Sequence, residues 1–457
     1  MKKLLLTVAL GTFALGASAQ QIDEKELQEI QSSFVLDPQT KALQNIISNE
    51  ANLKNLTLNR EFQGKTDHFF KYRVSVKGIT DQQHSGRCWM FTSMNVLRPV
   101  VMKKYNMNEF DFSHNFTYFW DIFEKSNLFL SNAIATADHD MTDRDVTFYF
   151  KSPIGDGGVW NLFYNVASKY GVVPQSVMPE TAHSNNTTQL NNILNERLRA
   201  GGFELRKMVA DKKSKKEIAA AKTTIMKDVY RVLSLCLGVP PTEFEWRYKD
   251  NNGEIKTIKS TPKEFFNQIV PANYNPETYI MIMNDPTREY YKMYEIQNYR
   301  NSYEGLNWIY LNLPMEDIKQ SAIASIKADV PMYISSDLAM YNPKNGISSP
   351  QMYDYESLFG INMKMDKKAR ILTRESGSAH AMTLMAVDTD ENDKPIKWQF
   401  ENSWGTKAGH NGYMTLTDEW FDEYLFRIVI RTEYLNEKAL KAIKTKPVQL
   451  PAWDYMF

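Results

Sequence analysis

The 457-residue chain reads as an α+β protein of two lobes, a helical lobe and a β-rich lobe, with a helix-rich insertion between them. Three observations predict this. Helical spacing of apolar residues runs through Glu24–Glu50, Trp89–Tyr105, Asn191–Arg199 and Ser214–Leu237. The last third changes to short β-patterned runs, at 381–387 and 398–400, followed by the tight-turn pair Asn411-Gly412. No internal repeat or low-complexity linker separates the two regimes, which suits one two-layered enzyme-sized body.

Taken in order, the N-terminus has the layout of a secretory signal. Lys2 and Lys3 precede an apolar run from Leu4 to Gly16, and Ala17-Ser18-Ala19 fits a cleavage site. The alternative, a membrane anchor, would need about 20 apolar residues. Residues 1–19 are therefore expected to be a signal peptide and the mature protein to be exported and soluble, in the periplasm or outside the cell. Residues 20–75 form an N-terminal extension with a short strand at 72–76. A helical lobe is expected over 76–187, with a kink or break at Pro99. The insertion covers 188–330 and its second long helix stops at Pro240-Pro241. The β-rich lobe covers 331–449, and 450–457 is a C-terminal arm.

Composition narrows the function. Hydrophobic residues are 43% and aromatics 12%, so a large core is expected. Lys+Arg and Asp+Glu both number 54, which gives no bulk electrostatic reason to bind nucleic acid or anionic lipid. The Lys212–Lys216 cluster reads as a solvated helix face. Asp138, Asp140, Asp143 and Asp145 lack the glycine and terminal glutamate of a calcium loop, and no metal or organic cofactor is implied. Asn115-Phe116-Thr117 has the form of a glycosylation sequon and nothing more.

Two cysteines occur, in unlike settings. Cys236 lies in an apolar helical stretch, where a buried inert thiol is expected. Cys88 sits where a polar loop turns into a helix. Unpaired N–H groups and the macrodipole favour a thiolate there, and Gly86 allows the turn before it. Gln82 can supply a side-chain N–H that joins the Cys88 backbone N–H around an oxyanion. His380 stands among small residues at the mouth of a strand, where a base can reach a substrate. Asn402 can accept from its imidazole and Trp404 can shield that bond. Both cysteines are expected to be free.

The order Gln82, Cys88, His380, Asn402 resembles that of papain-like cysteine peptidases, and in particular the bleomycin hydrolase and bacterial aminopeptidase C branch. The resemblance rests on Ser85-Gly86-Arg87-Cys88-Trp89, Asp156-Gly157-Gly158, Lys169-Tyr170-Gly171-Val172-Val173-Pro174, Leu237-Gly238-Val239-Pro240-Pro241, Arg374-Glu375-Ser376, His380-Ala381-Met382, Glu401-Asn402-Ser403-Trp404-Gly405 and Asp418-Glu419-Trp420-Phe421-Asp422. It runs from about Val74 to Asp454. It implies a papain-like fold, an acyl-enzyme on Cys88 with His380 as base, Asn402 orienting and Gln82 at the oxyanion. It further implies peptide binding along Asp156, Gly157 and Gly158 beside Trp404, aminopeptidase action on short peptides, and a homohexamer. Papain's histidine follows its cysteine by about 130–150 residues; the step from 88 to 380 is far longer and matches the insertion. Ser85 replaces the papain cysteine that forms a disulfide. Val159 and Tyr333–Asp337 also depart from the branch, and Tyr455-Met456-Phe457 replaces its usual ending. That ending suggests a shortened arm and keeps dipeptidyl peptidase or endopeptidase action open. A non-catalytic exported binding protein is the alternative from another class.

Overall fold

The computed structural model describes residues 21–62, 66–75, 78–271, 274–338 and 345–456. The expected signal peptide, Val76 of the expected first strand and Phe457 of the arm lie outside them. The chain divides into two compact units, residues 21–60 with 353–362, and residues 61–352 with 363–456.

The smaller unit is helical. Continuous helical patterning over Glu24–Glu50 resolves into two helices, Glu24–Ser32 and Pro38–Ser48. The break has a local cause: Asp37 accepts from the Thr40 N–H at 2.7 Å, and Pro38 occupies the first helical turn. Neither helix buries a residue.

The larger unit joins a helical layer to an eleven-stranded sheet. Its strand order is 448–450, 292–296, 308–312, 279–283, 425–431, 332–336, 380–389, 395–401, 413–417 and 347–348, with 72–73 pairing on 380–389. The helices include Cys88–Tyr105, His114–Ala135 and Trp160–Tyr170, packed in one large core with Thr188–Ala210 and Lys215–Leu237. A second core lies under the sheet around Trp398, Trp420 and Phe421.

Two expectations change. The helix Cys88–Tyr105 is unbroken at Pro99. An interior proline costs roughly 3 kcal/mol, and burial of Trp89 to Asn95, Leu97 and Arg98 offsets it. Segment 188–330 is not uniformly helix-rich. After its two long helices come a hairpin, Phe244–Lys249 with Ile255–Ser260, and three strands that join the main sheet. Tyr279–Met283 is buried at every position, so it lacks the alternation that reveals a strand. The acids at 138–145 serve the backbone: Asp140 bonds Thr142 N–H at 2.8 Å, and Asp143 caps helix Arg144–Lys151. Among the described residues no helix is long and apolar enough to cross a membrane.

One buried ion pair ties the two layers. A guanidinium nitrogen of Arg98, on the helix that starts at Cys88, lies 2.8 and 2.7 Å from the two carboxylate oxygens of Glu401. Both side chains are buried. Removing one partner leaves the other charge uncompensated. Glu401→Ala or Arg98→Ala is expected to cost about 3–5 kcal/mol in urea unfolding, and an Arg98→Met, Glu401→Leu double variant should cost less than either. Equal cost in all three would show that shape and not charge matters here.

Candidate active site

The loop before Cys88 is held from two sides. Residues 80–82 run against 403–405: Gln82 N–H donates to Ser403 O at 2.8 Å and Gly405 N–H to Thr80 O at 3.0 Å. Gly405 has a φ of +72°, and a Cβ there would come within 2.8 Å of Asp81. Ser403 Oγ donates to Gln82 Oε1 at 2.6 Å, which fixes which end of the amide carries the N–H groups. Gln82 Nε2 donates one of them to Ser85 O. Its second N–H remains for a ligand.

On the other side, Asp156 takes the Gly86 N–H at 2.7 Å and the Thr187 hydroxyl on one carboxylate oxygen. Its carbonyl accepts from Trp89 Nε1 at 2.7 Å. A Cβ at Gly86 would lie 2.5 Å from the Asp156 carboxylate, so only glycine fits. Asp156, expected at the substrate, also holds the loop before Cys88, and Gly157 and Gly158 follow it. Sequence reasoning also missed Arg87 and Glu180. Arg87 is fully buried, pairs with Glu180 at 3.0 Å and donates to Ser85 Oγ at 3.0 Å. Ser85 Oγ in turn donates to Gln82 O at 2.6 Å. Arg87 stood in the motif, but nothing local to Glu180 marks it as a partner.

Cys88 opens its helix, and Arg87 at the cap position offers no side-chain acceptor, so the first N–H groups stay directed at the thiol. Burial pushes the Cys88 thiol up to about 11, while the Ala381 and Trp89 backbone N–H groups pull it down. The Ala381 contact puts the thiol beside the residue that follows His380. Strand 380–389 starts with His380, whose Nε2 lies 2.8 Å from Asn402 Oδ1. Asn402 Oδ1 also accepts from Ser403 N–H at 2.8 Å, and its nitrogen points to Met414 Sδ. That orientation gives Nε2 the proton and leaves Nδ1 as the basic nitrogen. The Trp404 ring lies 4.7 Å from the imidazole at 37° and covers it. Burial pushes His380 down to about 4, opposed by the Asn402 hydrogen bond.

Tyr333, one of the departures from the expected pattern, is buried next to Cys88, and burial followed by the nearby thiol pushes its hydroxyl upward. Ser335 bonds Ser378, and Ser376 donates to Asp337 at 2.6 Å, so the end of strand 332–336 and the residue after it brace the approach to His380. Cys236 is half-buried on helix Lys215–Leu237, and both thiols are free.

The two shifts set a pH expectation. A lowered imidazole moves the acid limb below its ordinary 6.5, and a raised thiol moves the loss of the last proton above 9. Between them the pair shares one proton. Alkylation of Cys88 by iodoacetamide, which needs the thiolate, should thus have its main rise towards pH 11. A single rise near pH 9, as for an isolated thiol, would contradict the arrangement.

The model of the Peptidase C1-like family matches residues 21–457. Bleomycin hydrolase of Homo sapiens is 36% identical over 450 residues, spanning 96% of this chain and 99% of its own. Aminopeptidase C of Lactobacillus helveticus is 38% identical over 397 residues, spanning 85% and 88%. The crystal structure of PepW from Lactobacillus rhamnosis HN001 superposes with a TM-score of 0.91 at 35% identity, covering 96% of this chain and 99% of that one. A match of this extent takes in the helical layer, the long insertion and the sheet together, and the chain belongs to the Peptidase C1-like family as a papain-like cysteine peptidase of the bleomycin hydrolase and aminopeptidase C type.

Proposed function

We propose that the chain is an exported aminopeptidase acting on short peptides, with Cys88 as nucleophile and His380 as base. The observation that carries this is the His380–Asn402 bond of 2.8 Å next to a thiol at a helix N-terminus. Cys88 Sγ attacks the peptide carbonyl carbon as its proton passes to His380 Nδ1. The Cys88 N–H and the free Gln82 N–H face the oxyanion. Collapse breaks the C–N bond, His380 returns the proton to the leaving amine, and a thioester remains. Water, deprotonated by the same imidazole, then releases the acid and the thiol. Asn402 holds the ring, and Gly157 and Gly158 carry the substrate backbone.

Export is supported by the Lys2-Lys3, Leu4–Gly16 and Ala17-Ser18-Ala19 sequence pattern. A homohexamer is supported by exposed Ile22, just before the N-terminal helices, and by exposed Leu27, Ile30, Phe34, Val35 and Ile46 on those helices and their junction. The relatives named aminopeptidase C favour removal of single N-terminal residues. Dipeptidyl peptidase or endopeptidase action on the same fold is the competing reading.

Cys88→Ala should remove essentially all peptidase activity, and Cys236→Ala should leave it. His380→Ala should cost more in kcat than Asn402→Ala, because the base moves the proton and the amide only orients it. Equal losses at the two cysteines would refute the assignment. Single-residue, dipeptidyl and N-acetylated fluorogenic substrates separate the two readings: the aminopeptidase reading expects turnover of the first and none of the last. Light scattering on the same preparation should give six copies of the chain; monomer at micromolar concentration would refute the hexamer.

A further inference from the structure

Arg87 directly precedes the nucleophile, is fully buried, and has no part in the chemistry above. Its guanidinium divides its donors between two partners. Nη1 reaches both carboxylate oxygens of Glu180, at 3.0 and 3.3 Å, while Nε turns to the Ser85 hydroxyl at 3.0 Å. Nη2 is buried and meets no acceptor among the described residues. An ion pair placed for stability would present two parallel N–H groups to the acid. This one leaves a buried donor unmet, at a cost of about 1–3 kcal/mol, and directs Nε to a serine instead.

That serine leads to one oxyanion donor. Ser85 Oγ donates to the Gln82 carbonyl at 2.6 Å, and the Ser85 carbonyl accepts one N–H of the Gln82 side chain. Ser403 holds the other end of the same amide. The direction of the remaining Gln82 N–H is therefore set by where Ser85 lies, and Arg87 helps to set where Ser85 lies. The second donor, Cys88 N–H, belongs to the peptide that joins Arg87 to Cys88. The carbonyl of that peptide accepts from Met90 and Phe91 N–H at 2.9 and 3.1 Å. One residue thus touches the mounting of both donors.

Glu180 is itself anchored. The Met178 carbonyl accepts from Ser113 Oγ, the Pro179 carbonyl accepts from Asn115 Nδ2 at 2.8 Å, and Thr181 caps the helix Ala182–Asn185. The Arg87 guanidinium lies 5.2 and 5.4 Å from the centroids of the Phe91 and Tyr118 rings, and Phe91 stacks on His114. Aromatic rings and the acid together fix the guanidinium.

We propose that Arg87, held by Glu180, is a positioning residue for the oxyanion: it acts through Ser85 to aim the free Gln82 N–H at the place the Cys88 N–H faces. The proposal rests on the reading of Cys88 as nucleophile with Gln82 at the oxyanion. Negative charge on the substrate carbonyl oxygen is largest in the transition state, so the effect falls on kcat and not on KM. Lysine cannot replace Arg87, because an ammonium has no rigid fork to hold serine and acid at a fixed angle.

The test is a double-mutant cycle on a fluorogenic amide that the wild-type enzyme cleaves. Gln82→Ala should lower kcat by about 100-fold or more. Arg87→Met and Arg87→Lys should each lower kcat by about ten-fold or more, with KM changed by less than about two-fold, and Glu180→Gln should retain more activity than either. In the Gln82→Ala background, Arg87→Met should cost no more than about two-fold further, because the group it aims is gone. A peptide aldehyde, whose adduct with Cys88 carries the oxyanion, should lose affinity for the Arg87 variants in step with kcat. Iodoacetamide, whose reaction forms no oxyanion, should alkylate their Cys88 at the wild-type rate. Ser85→Ala, checked by circular dichroism, runs the same cycle should Arg87→Met not fold. Losses that multiply in the double variant, a loss confined to KM, or alkylation slowed in step with kcat would each show that Arg87 only supports the fold, and would overturn the proposal alone. No Cys88-dependent cleavage by wild-type enzyme would overturn the peptidase reading and the proposal with it.

Discussion

The site depends on holding Arg98 against Glu401. These residues are 303 positions apart, yet Arg98 lies on the helix that begins at Cys88, and Glu401 directly precedes Asn402. Cys88 and Asn402 are thereby tied to one another through a buried contact, alongside the pairing of 80–82 with 403–405. Such a pair is a poor source of net stability, since removing both charges from water costs several kcal/mol per ion before their attraction is counted. Its value is geometric. Arg98 also donates to Asn95 Oδ1 at 3.0 Å and Gly78 O at 3.1 Å, and Asn95 donates to Thr80 Oγ1 at 3.0 Å. Thr80 then pairs with Gly405. The ion pair thus sets the helix, the loop carrying Gln82 and the strand end carrying Asn402 in one register.

Around that frame the nucleophile loop is stapled without a covalent bond. Where papain has a second cysteine before its nucleophile, Ser85 donates to Gln82 and accepts from Arg87, and Asp156 fastens Gly86. Charge-assisted bonds from a carboxylate to backbone N–H are among the stronger hydrogen bonds available. They suit a chain whose two thiols are both free. Burial disfavours the thiolate and the imidazolium taken singly.

The catalytic candidates were legible because each carries a chemical demand in its immediate neighbours: a glycine turn before Cys88, small residues around His380, and Asn402 ahead of a shielding tryptophan. The α+β class was legible from the change of periodicity. What was not legible had no local mark. Glu180 is an ordinary acid until folding brings it to Arg87. The part Asp156 plays in holding the loop had no local mark, since its partners at 86 and 187 are distant in sequence. The strands at 279–283 and 332–336 are buried on both faces, so they show no alternation. Pro99 pointed to a kink or break, and the helix runs without a break through it, with buried residues before and after the proline.

The C-terminal stretch belongs to the same economy of buried charge. Strand 448–450 pairs in parallel with 292–296. Beyond it Trp453 stacks under Arg144, Arg288 pairs with Asp454 and lies over Tyr455, and Arg427 donates to Met456 O. Arg427 is buried, lies over the Tyr299 and Trp308 rings, and donates to Tyr299 OH at 3.3 Å. A guanidinium so placed needs acceptors, because an unpaired buried charge is far more costly than an unpaired amide. The Met456 carbonyl supplies one, and the buried Met456 side chain packs in the core that contains Ala381 and Tyr333. Residues 453–456 are consequently bound to the larger unit by interactions the core itself requires. An arm held in this way cannot be moved independently without taking the Met456 carbonyl away from the buried Arg427, so its position is tied to the packing that keeps the sheet intact.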